Sequence, residues 1–327
     1  AGVVVSLGAV TGPLLGGLLI TADLYDLGWR PIFLVNLPVG VLVVLGGIRL
    51  IPRMSFARDM AIDWPGVALF GLAITLLVLP VIEGPLLGWP WWSLALLALA
   101  LPVAALFLRR QHALERAGRE QLLPVALLRD GGFLSGVTVV MLHFSAIPGM
   151  FLVLAIYFQT GFGLSPLESG LATAPFPLGV MVGSWVTGRF GTRILTARIA
   201  LGAAVLLAGM AWLRHVAGDP PMPFGVTTLA GPLALNGLGM GLAISPLFQL
   251  VLRDVPGRIA GAATGGMQAF QQVGAAIGIA IVSSLFFVAL RGGADHPAAL
   301  AHALSYQLVV FSAILTVLAL RHWRRRQ

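Results

Sequence analysis

The chain carries the stretch Gly8-Ala9-Val10-Thr11-Gly12-Pro13-Leu14-Leu15-Gly16-Gly17 inside an apolar run that extends from residue 1 to residue 20. A proline in mid-helix removes one backbone hydrogen bond and costs roughly 3 kcal/mol in water, so a bend at this place needs a reason. Gly8, Gly12 and Gly16 recur at a spacing of four, which places them on one helical face that a second helix can approach closely. The stretch predicts a membrane helix with a glycine contact face, to which Gly17 adds a further glycine.

Composition narrows the class of protein. Hydrophobic residues make up 58% of the chain and charged residues 10%, with a mean hydropathy of +0.96, whereas soluble domains carry about 25% charge. All twenty basic residues are arginine and there is no cysteine, which excludes a P-loop lysine, a Schiff-base lysine and a thiolate metal site. Because the chain also lacks metal-ligand spacing and a Ser-His-Asp arrangement, we predict a membrane protein that is not an enzyme and carries no cofactor.

Apolar segments long enough to cross a hydrocarbon core of roughly 30 Å occur ten times. They predict an all-α polytopic membrane protein with about ten transmembrane helices. The predicted spans lie at residues 1–22, 31–50, 64–82, 91–108, 132–158, 167–187, 197–216, 225–250, 260–290 and 304–320.

The arginines alternate with the spans. One alternate set of connections holds or adjoins only Arg30, Arg214 and Arg291, while the other set and the C-terminal tail hold the remaining seventeen. The positive-inside rule places the arginine-rich set in the cytoplasm. We therefore predict a multi-pass protein of the cytoplasmic membrane with a cytoplasmic C-terminus and the lipid bilayer, rather than nucleic acid, as its partner.

Four motifs resemble those of a known family. The stretch Gly8-x3-Gly12-Pro13-x2-Gly16-Gly17 is similar to the antiporter motif in the fifth span of the major facilitator superfamily. Residues 29–40, WRPIFLVNLPVG, resemble the start of the sixth span in its fourteen-span drug:proton antiporter branch. Residues 157–170 and 265–274 resemble its outer turn between spans nine and ten and its thirteenth span. The resemblance implies that the N-terminal four spans are missing from this chain.

The resemblance also implies a division of the chain and a function. Two six-helix bundles flank an insert, so residues 1–50 are the two-span remainder of the N-terminal bundle and residues 51–108 a two-span insert. Residues 109–131 then form a cytoplasmic linker and residues 132–327 the C-terminal bundle. The implied activity is proton-coupled export of small hydrophobic or cationic drugs by alternating access, with a small-molecule substrate and protons as partners. A dedicated exporter of one metabolite, such as an antibiotic or siderophore, and an inactive truncated transporter or scaffold remain alternatives.

The ionisable candidates lie near span ends. Asp23, Asp26 and Arg30 form either a solvated loop ion pair or an outer gate. No acid falls at the centre of a predicted span, although buried charges in membranes usually mark function. Glu83 and Glu168 come nearest to the bilayer and are either interfacial residues or proton sites. We expect the principal coupling acid in the missing spans.

Polar residues within the spans are the cavity and substrate candidates. His143 is either a proton relay or a histidine hydrogen-bonded between helices. The uncharged members of the set either form interhelical hydrogen bonds of about 1 kcal/mol or line a cavity, and Gln268 shares a helical face with Gln271 or Gln272. The candidates are Asn36, His143, Asn236, Gln268, Gln271 and Gln272.

Overall fold

The computed structural model describes residues 2–23, 26–50, 63–189 and 194–324, and all of the regular secondary structure in those ranges is helical. A π-helical turn, Tyr157–Gly161, follows α7, and a 3-10 turn, Gly257–Ile259, precedes α12. The α-helices are α1 (Gly2–Ala22), α2 (Pro31–Leu34), α3 (Asn36–Leu50), α4 (Trp64–Leu86), α5 (Trp91–Arg116), α6 (Val125–Arg129), α7 (Gly131–Ile156), α8 (Pro166–Thr173), α9 (Pro175–Gly188), α10 (Leu195–Gly218), α11 (Ala230–Leu252), α12 (Ala260–Arg291), α13 (His296–Ala303) and α14 (Ser305–Arg324).

Eight helical segments in the described ranges are long and apolar enough to cross a membrane, which confirms a polytopic helical membrane protein. The other two predicted spans correspond to α1, with 21 residues, and to the pair α8 and α9. That pair is interrupted at Ala174, which keeps helical backbone angles, because Pro175 and Pro177 have no N–H to donate to the preceding turn. The count of ten spans stays a prediction.

Polar residues in the loops start the helices. Asp63 accepts a hydrogen bond from the Gly66 amide at 3.0 Å, and Asp130 accepts one from the Phe133 amide at 2.7 Å. Asp295 caps α13 in the same way, through the Ala298 amide at 2.8 Å. Each carboxylate satisfies an amide that the first helical turn leaves without a partner. Capping thus explains these three acids.

The hydrophobic core lies in α7 to α14. Side chains such as Met150, Leu206, Leu233 and Phe311 are fully buried there, whereas α3 has no buried residue. Outside this bundle, α4 pairs with α5 and also contacts α12, and α1 contacts α8 and α9. The division of the chain into four units stays a prediction.

Glycines set the helix spacing within the bundle. Gly179 and Gly183 of α9 face Gly237 and Gly241 of α11, and a Cβ added at any of the four would collide with the backbone of the facing helix. Small residues at spacing four allow such close approach in membranes, where helices gain little from hydrophobic burial. These two pairs form one glycine contact face of the bundle, between α9 and α11.

The contact between α7 and α12 is built in the same way. A Cβ at Gly274 or Gly278 of α12 would collide with the carbonyl oxygens of Met141 and Ser145 on α7, while Gly149 of α7 faces the Gly278 carbonyl. Gly274 and Gly278 therefore serve packing against α7, whereas Gly261 and Gly265 meet no described atom within 4 Å.

Candidate translocation site

Helix α1 meets the C-terminal bundle at Gly17. A Cβ at this buried position would lie 2.8 Å from the Leu167 Cα and 2.9 Å from the Pro166 carbonyl oxygen, both at the start of α8. Real Cβ atoms do not come so close to backbone atoms, so only glycine fits without a shift. This contact joins the first described helix to a helix 150 residues later in the chain.

Of the predicted contact face, only Gly17 meets a described helix, and a contact at the other three glycines stays a prediction. A Cβ at Gly8, Gly12 or Gly16 would meet no described atom within 4 Å. Successive residues of a helix are rotated by about 100°, and α8 and α9 lie on the side of Gly17 rather than on the face of the other three. Pro13 lies within α1, but its side chain lies outside the described part of the structure.

The start of α8 is fixed by a capping box. The Glu168 Oε2 atom accepts hydrogen bonds from the Ser165 amide and from the Ser165 hydroxyl, both at 2.8 Å, and the Glu168 amide donates to that hydroxyl at 3.3 Å. The reciprocal pair satisfies backbone donors that the first turn leaves open. The proton-site reading of Glu168 is therefore not supported by its geometry: the carboxylate is exposed and holds the segment that receives Gly17.

The outer-gate candidates do not meet as predicted. Asp23 Oδ1 accepts a hydrogen bond from the Gly28 amide at 2.8 Å, and the Arg30 guanidinium lies over the Trp29 ring at 5.3 Å from its centroid. Among the described residues, no ion pair joins Arg30 to Asp23 or Asp26, and all three are exposed. Because the Asp23 carboxylate folds back onto its own loop, an outer latch stays a prediction.

His143 lies at the centre of the bundle. It is 1% exposed, its Nε2 lies 3.0 Å from the Met240 sulfur, and its ring makes edge contacts with Phe144 and Phe311. The contact links α7, α11 and α14. No carboxylate is among the described partners of His143, so the surroundings match a packed histidine between helices more closely than a proton relay.

The two asparagine candidates differ in burial. Asn236 is fully buried on α11, donates to the Pro232 carbonyl at 2.9 Å and packs against Gly209 of α10, while its Oδ1 has no described hydrogen-bond partner. Asn36 is exposed at the start of α3. The structure thus does not bring Asn36 to the other cavity candidates.

The three glutamines of α12 also differ in exposure. Gln268 and Gln272 are exposed on one face together with Gly261 and Gly265, whereas Gln271 is half-buried and its Oε1 atom is buried without a described partner. Gln272 thus shares the exposure of Gln268 and Gln271 does not, and whether either pair lines a cavity stays a prediction. Glu83 is half-buried in the last turn of α4, and its side chain has no described partner.

Sequence reasoning missed a polar contact between α7 and α14. The Tyr306 hydroxyl donates to the Ser145 hydroxyl at 2.8 Å, and the buried Gln307 donates to the Ala146 carbonyl at 3.2 Å. The signal available in the sequence was that two polar residues lie side by side near the start of the last predicted span, residues 304–320. The contact fixes α14 against the helix that carries His143.

The turn at residues 157–170 is held by aromatic side chains. Tyr157 is fully buried and its hydroxyl donates to the Ala217 carbonyl at 3.0 Å, while the Phe162 and Phe224 rings stack with centroids 3.9 Å apart. π-helical turns often occur at functional sites, and this one leads directly into the capping box of α8.

A second network lies at the arginine-rich end and was also missed. Asp63 Oδ1 accepts from the Arg110 guanidinium at 2.6 and 2.8 Å, and Oδ2 accepts from the fully buried Gln111 at 3.2 Å. Gln111 in turn accepts from the Leu123 amide at 3.4 Å, and the Leu123 side chain packs against Gly266 of α12. We name Asp63, Arg110, Gln111 and Leu123 the inner clasp. It connects the α4–α5 pair, the linker and α12.

The electrostatics of the inner clasp favour an ionised carboxylate. Desolvation raises the pKa of the Asp63 carboxyl, but hydrogen bonds from Arg110, Gly66 and Gln111 lower that pKa by more, so it lies below its ordinary value. A cavity of about 410 Å³ adjoins the clasp between α4, the linker and α12. Asp63 therefore serves as a fixed anion at this end of the molecule.

Comparison with known proteins gives the family. Residues 57–279 match the model of the Major Facilitator Superfamily. The chain is 35% identical over 291 residues to a "Probable actinorhodin transporter" of Streptomyces coelicolor, covering 88% of this chain and 50% of that relative. It is 32% identical over 290 residues to a multidrug resistance protein of Mycobacterium tuberculosis, covering 86% and 50%. It is also 32% identical over 289 residues to a tetracenomycin C resistance and export protein of Streptomyces glaucescens, covering 86% and 51%.

The chain thus spans about half the length of the curated relatives it matches. The family match covers more than half of the chain, from the inner clasp to the glycine contacts of α12. The membrane helices and the glycine-mediated contacts described above agree with that match. The chain belongs to the major facilitator superfamily.

Proposed function

We propose that the complete protein exports small hydrophobic or cationic drugs across the cytoplasmic membrane in exchange for protons, by alternating access. The observation that carries the proposal is the contact of Gly17 with the backbone of Pro166 and Leu167. It joins the helix that carries the antiporter motif to the C-terminal bundle without an intervening side chain. Bundles that rock against each other need such a smooth contact.

The names of the relatives support an exporter. A transporter, a multidrug resistance protein and a resistance and export protein match most of this chain at 32–35% identity. The buried His143 and Asn236 and the half-buried Gln271 supply hydrogen-bonding groups within the spans. The Phe144 ring lies beside His143 and stacks on Phe248. A site of this kind suits apolar molecules that carry one or two polar groups.

The test is energised efflux from cells that produce the complete protein and lack other exporters. We expect loss of a preloaded cationic dye, ethidium, to be faster than in cells without the protein and to stop when a protonophore collapses the gradient. Efflux that is unchanged by the protonophore would contradict proton coupling. No efflux of ethidium or of a neutral hydrophobic drug would contradict drug export.

A dedicated metabolite exporter is the second candidate. Two relatives are named for a single compound, actinorhodin and tetracenomycin C. A panel of growth-inhibition measurements separates the candidates, because a multidrug exporter raises resistance to several unrelated compounds whereas a dedicated exporter raises resistance to one structural class.

The capping box yields a prediction about coupling. Replacing Glu168 with glutamine removes the charge but keeps a side chain that can complete a capping box, so we expect Glu168→Gln to retain proton-dependent efflux. Glu168→Ala loses the box and should lower stability by about 1 kcal/mol. Proton-dependent efflux and Tm, measured on both variants in the complete protein, check this. Loss of proton dependence in Glu168→Gln at normal expression would make Glu168 a coupling residue after all.

Topology yields another prediction. Ala113 is exposed near the end of α5, in the arginine-rich set of connections, and Leu87 is 58% exposed in the connection on the opposite side. We expect a cysteine at Leu87, and not one at Ala113, to react with an impermeant maleimide in intact cells. Both should react after the cells are opened. The reverse pattern would invert the proposed orientation.

A further inference from the structure

A groove lies at the arginine-rich end of the C-terminal bundle, away from the candidate translocation site. It encloses about 720 Å³ between the start of α10, the end of α11 and the last turns of α14. Its walls include Leu195, Ala197, Ala200, Leu250 and Leu315. No described residue of α1, α8 or α9 lines it. We name it the α10–α14 groove.

The groove opens towards the lipid. From residue 194 to residue 204, the exposed positions are Ile194, Ala197, Leu201 and Ala204, which follow one another at spacings of three or four and are all apolar. Such a stripe on a membrane helix faces hydrocarbon. From residue 194 to residue 200 the wall extends about 9 Å along the helix axis. The small side chains at Ala197 and Ala200 leave room for an alkyl chain beside Leu315.

One charged side chain stands at the groove among the residues that the structure describes. Arg253 is the ionisable residue among those that line it. Its side chain is 56% exposed, and its Nε donates to the neighbouring Asp254 carboxylate at 3.2 Å. Asp254 is 80% exposed, so water screens much of this surface pair. A guanidinium carries five N–H donors, which allows its terminal nitrogens to bind a phosphate as well.

We propose that the α10–α14 groove is a binding site for one anionic phospholipid. An acyl chain lies along Ala197, Ala200 and Leu315, and the phosphate contacts Arg253. Apolar walls beside Arg253 are complementary to this class of molecule, since basic pockets between spans recognise anionic head groups. The site is independent of the export activity and of the substrate path.

The test measures lipid binding to the purified full chain by native mass spectrometry. The probes are phosphatidylglycerol and phosphatidylcholine with identical acyl chains. We expect phosphatidylglycerol to bind at least fivefold more tightly, because one arginine at a membrane surface contributes about that factor. Arg253→Gln should abolish the preference, whereas Arg258→Gln, which changes an exposed arginine of the same end outside the groove, should keep it.

A second pair of variants tests the apolar wall. Ala200→Leu fills the groove and should weaken binding of both lipids, while Ala204→Leu, one turn further along the lipid-facing stripe, should leave both unchanged. Equal binding of the two lipids by the native chain would overturn the proposal. So would an Arg253→Gln variant that keeps the preference, or an Ala200→Leu variant that binds as the native chain does.

Discussion

Replacing Gly17 with leucine is expected to separate α1 from the C-terminal bundle and to abolish export by the complete protein. A Cβ alone would lie within 3 Å of the Leu167 Cα and the Pro166 carbonyl, and these are backbone atoms that the Ser165–Glu168 capping box holds in place. The helices must move apart, since neither partner has a flexible side chain that could yield. Overpacking of this kind costs about 1–3 kcal/mol.

The neighbouring residue provides a matched control. Gly16→Leu introduces the same side chain into the same helix, yet a Cβ at Gly16 would meet no described atom within 4 Å. The Tm of the purified chain should therefore fall for Gly17→Leu and stay unchanged for Gly16→Leu. The efflux assay on the complete protein then reports the functional loss. Equal Tm values for the two variants would show that the Gly17 contact does not stabilise the fold.

The spans were predictable because each is a long apolar segment. The prediction of residues 64–82 and 132–158 corresponds to α4 and α7, since length and hydropathy alone decide whether a segment can cross a bilayer. The predicted span at residues 91–108 ends too early. Helix α5 continues through the charged residues to Arg116, because nothing in that segment breaks a helix and its buried Leu114 packs inside the protein.

The face that a glycine helix presents was not predictable. Gly16 and Gly17 are adjacent and chemically identical, and only the position of α8 decides which of them is in contact. The same limit applies to the paired glycines of α9 and α11, whose spacing of four is visible in the sequence but whose partner is not. A stripe of small residues indicates that a close contact is possible; the tertiary arrangement selects the partner.

Long-range polar contacts could not be predicted from the sequence for a related reason. Asp63 and Arg110 are 47 positions apart, and the chain contains twenty arginines that could pair with any acid. Only the antiparallel packing of α4 against α5 brings these two together. The candidate residues of the cavity were chosen because they are polar within apolar spans, a criterion that does not reveal that Asn36 is exposed while Gln307 is buried.

Removing the charge of Asp63 is expected to destabilise the chain at neutral pH and to have little effect in acid. Asp63→Asn replaces charge-assisted hydrogen bonds from Arg110 with neutral ones, at a cost of about 1.5–3 kcal/mol, because the Asp63 side chain is only 5% exposed. The pKa of this carboxyl is lower in the folded chain than its ordinary value. Its stabilising contribution is therefore complete above about pH 5 and is lost as the pH falls through the folded-state pKa.

The measurement is the Tm of the purified chain in detergent as a function of pH. The native chain and Asp63→Asn should differ by several degrees at pH 7 and converge in acid, since a protonated aspartic acid and an asparagine are then equivalent in charge. Asp254→Asn is the matched control, because Asp254 is 80% exposed and pairs with its neighbour Arg253 at 3.2 Å, where an ion pair contributes little. If the difference between the native chain and Asp63→Asn were the same at every pH, the inner clasp would depend on shape rather than on charge. The native residue would then hold the α4–α5 pair to the linker through its hydrogen-bond geometry alone.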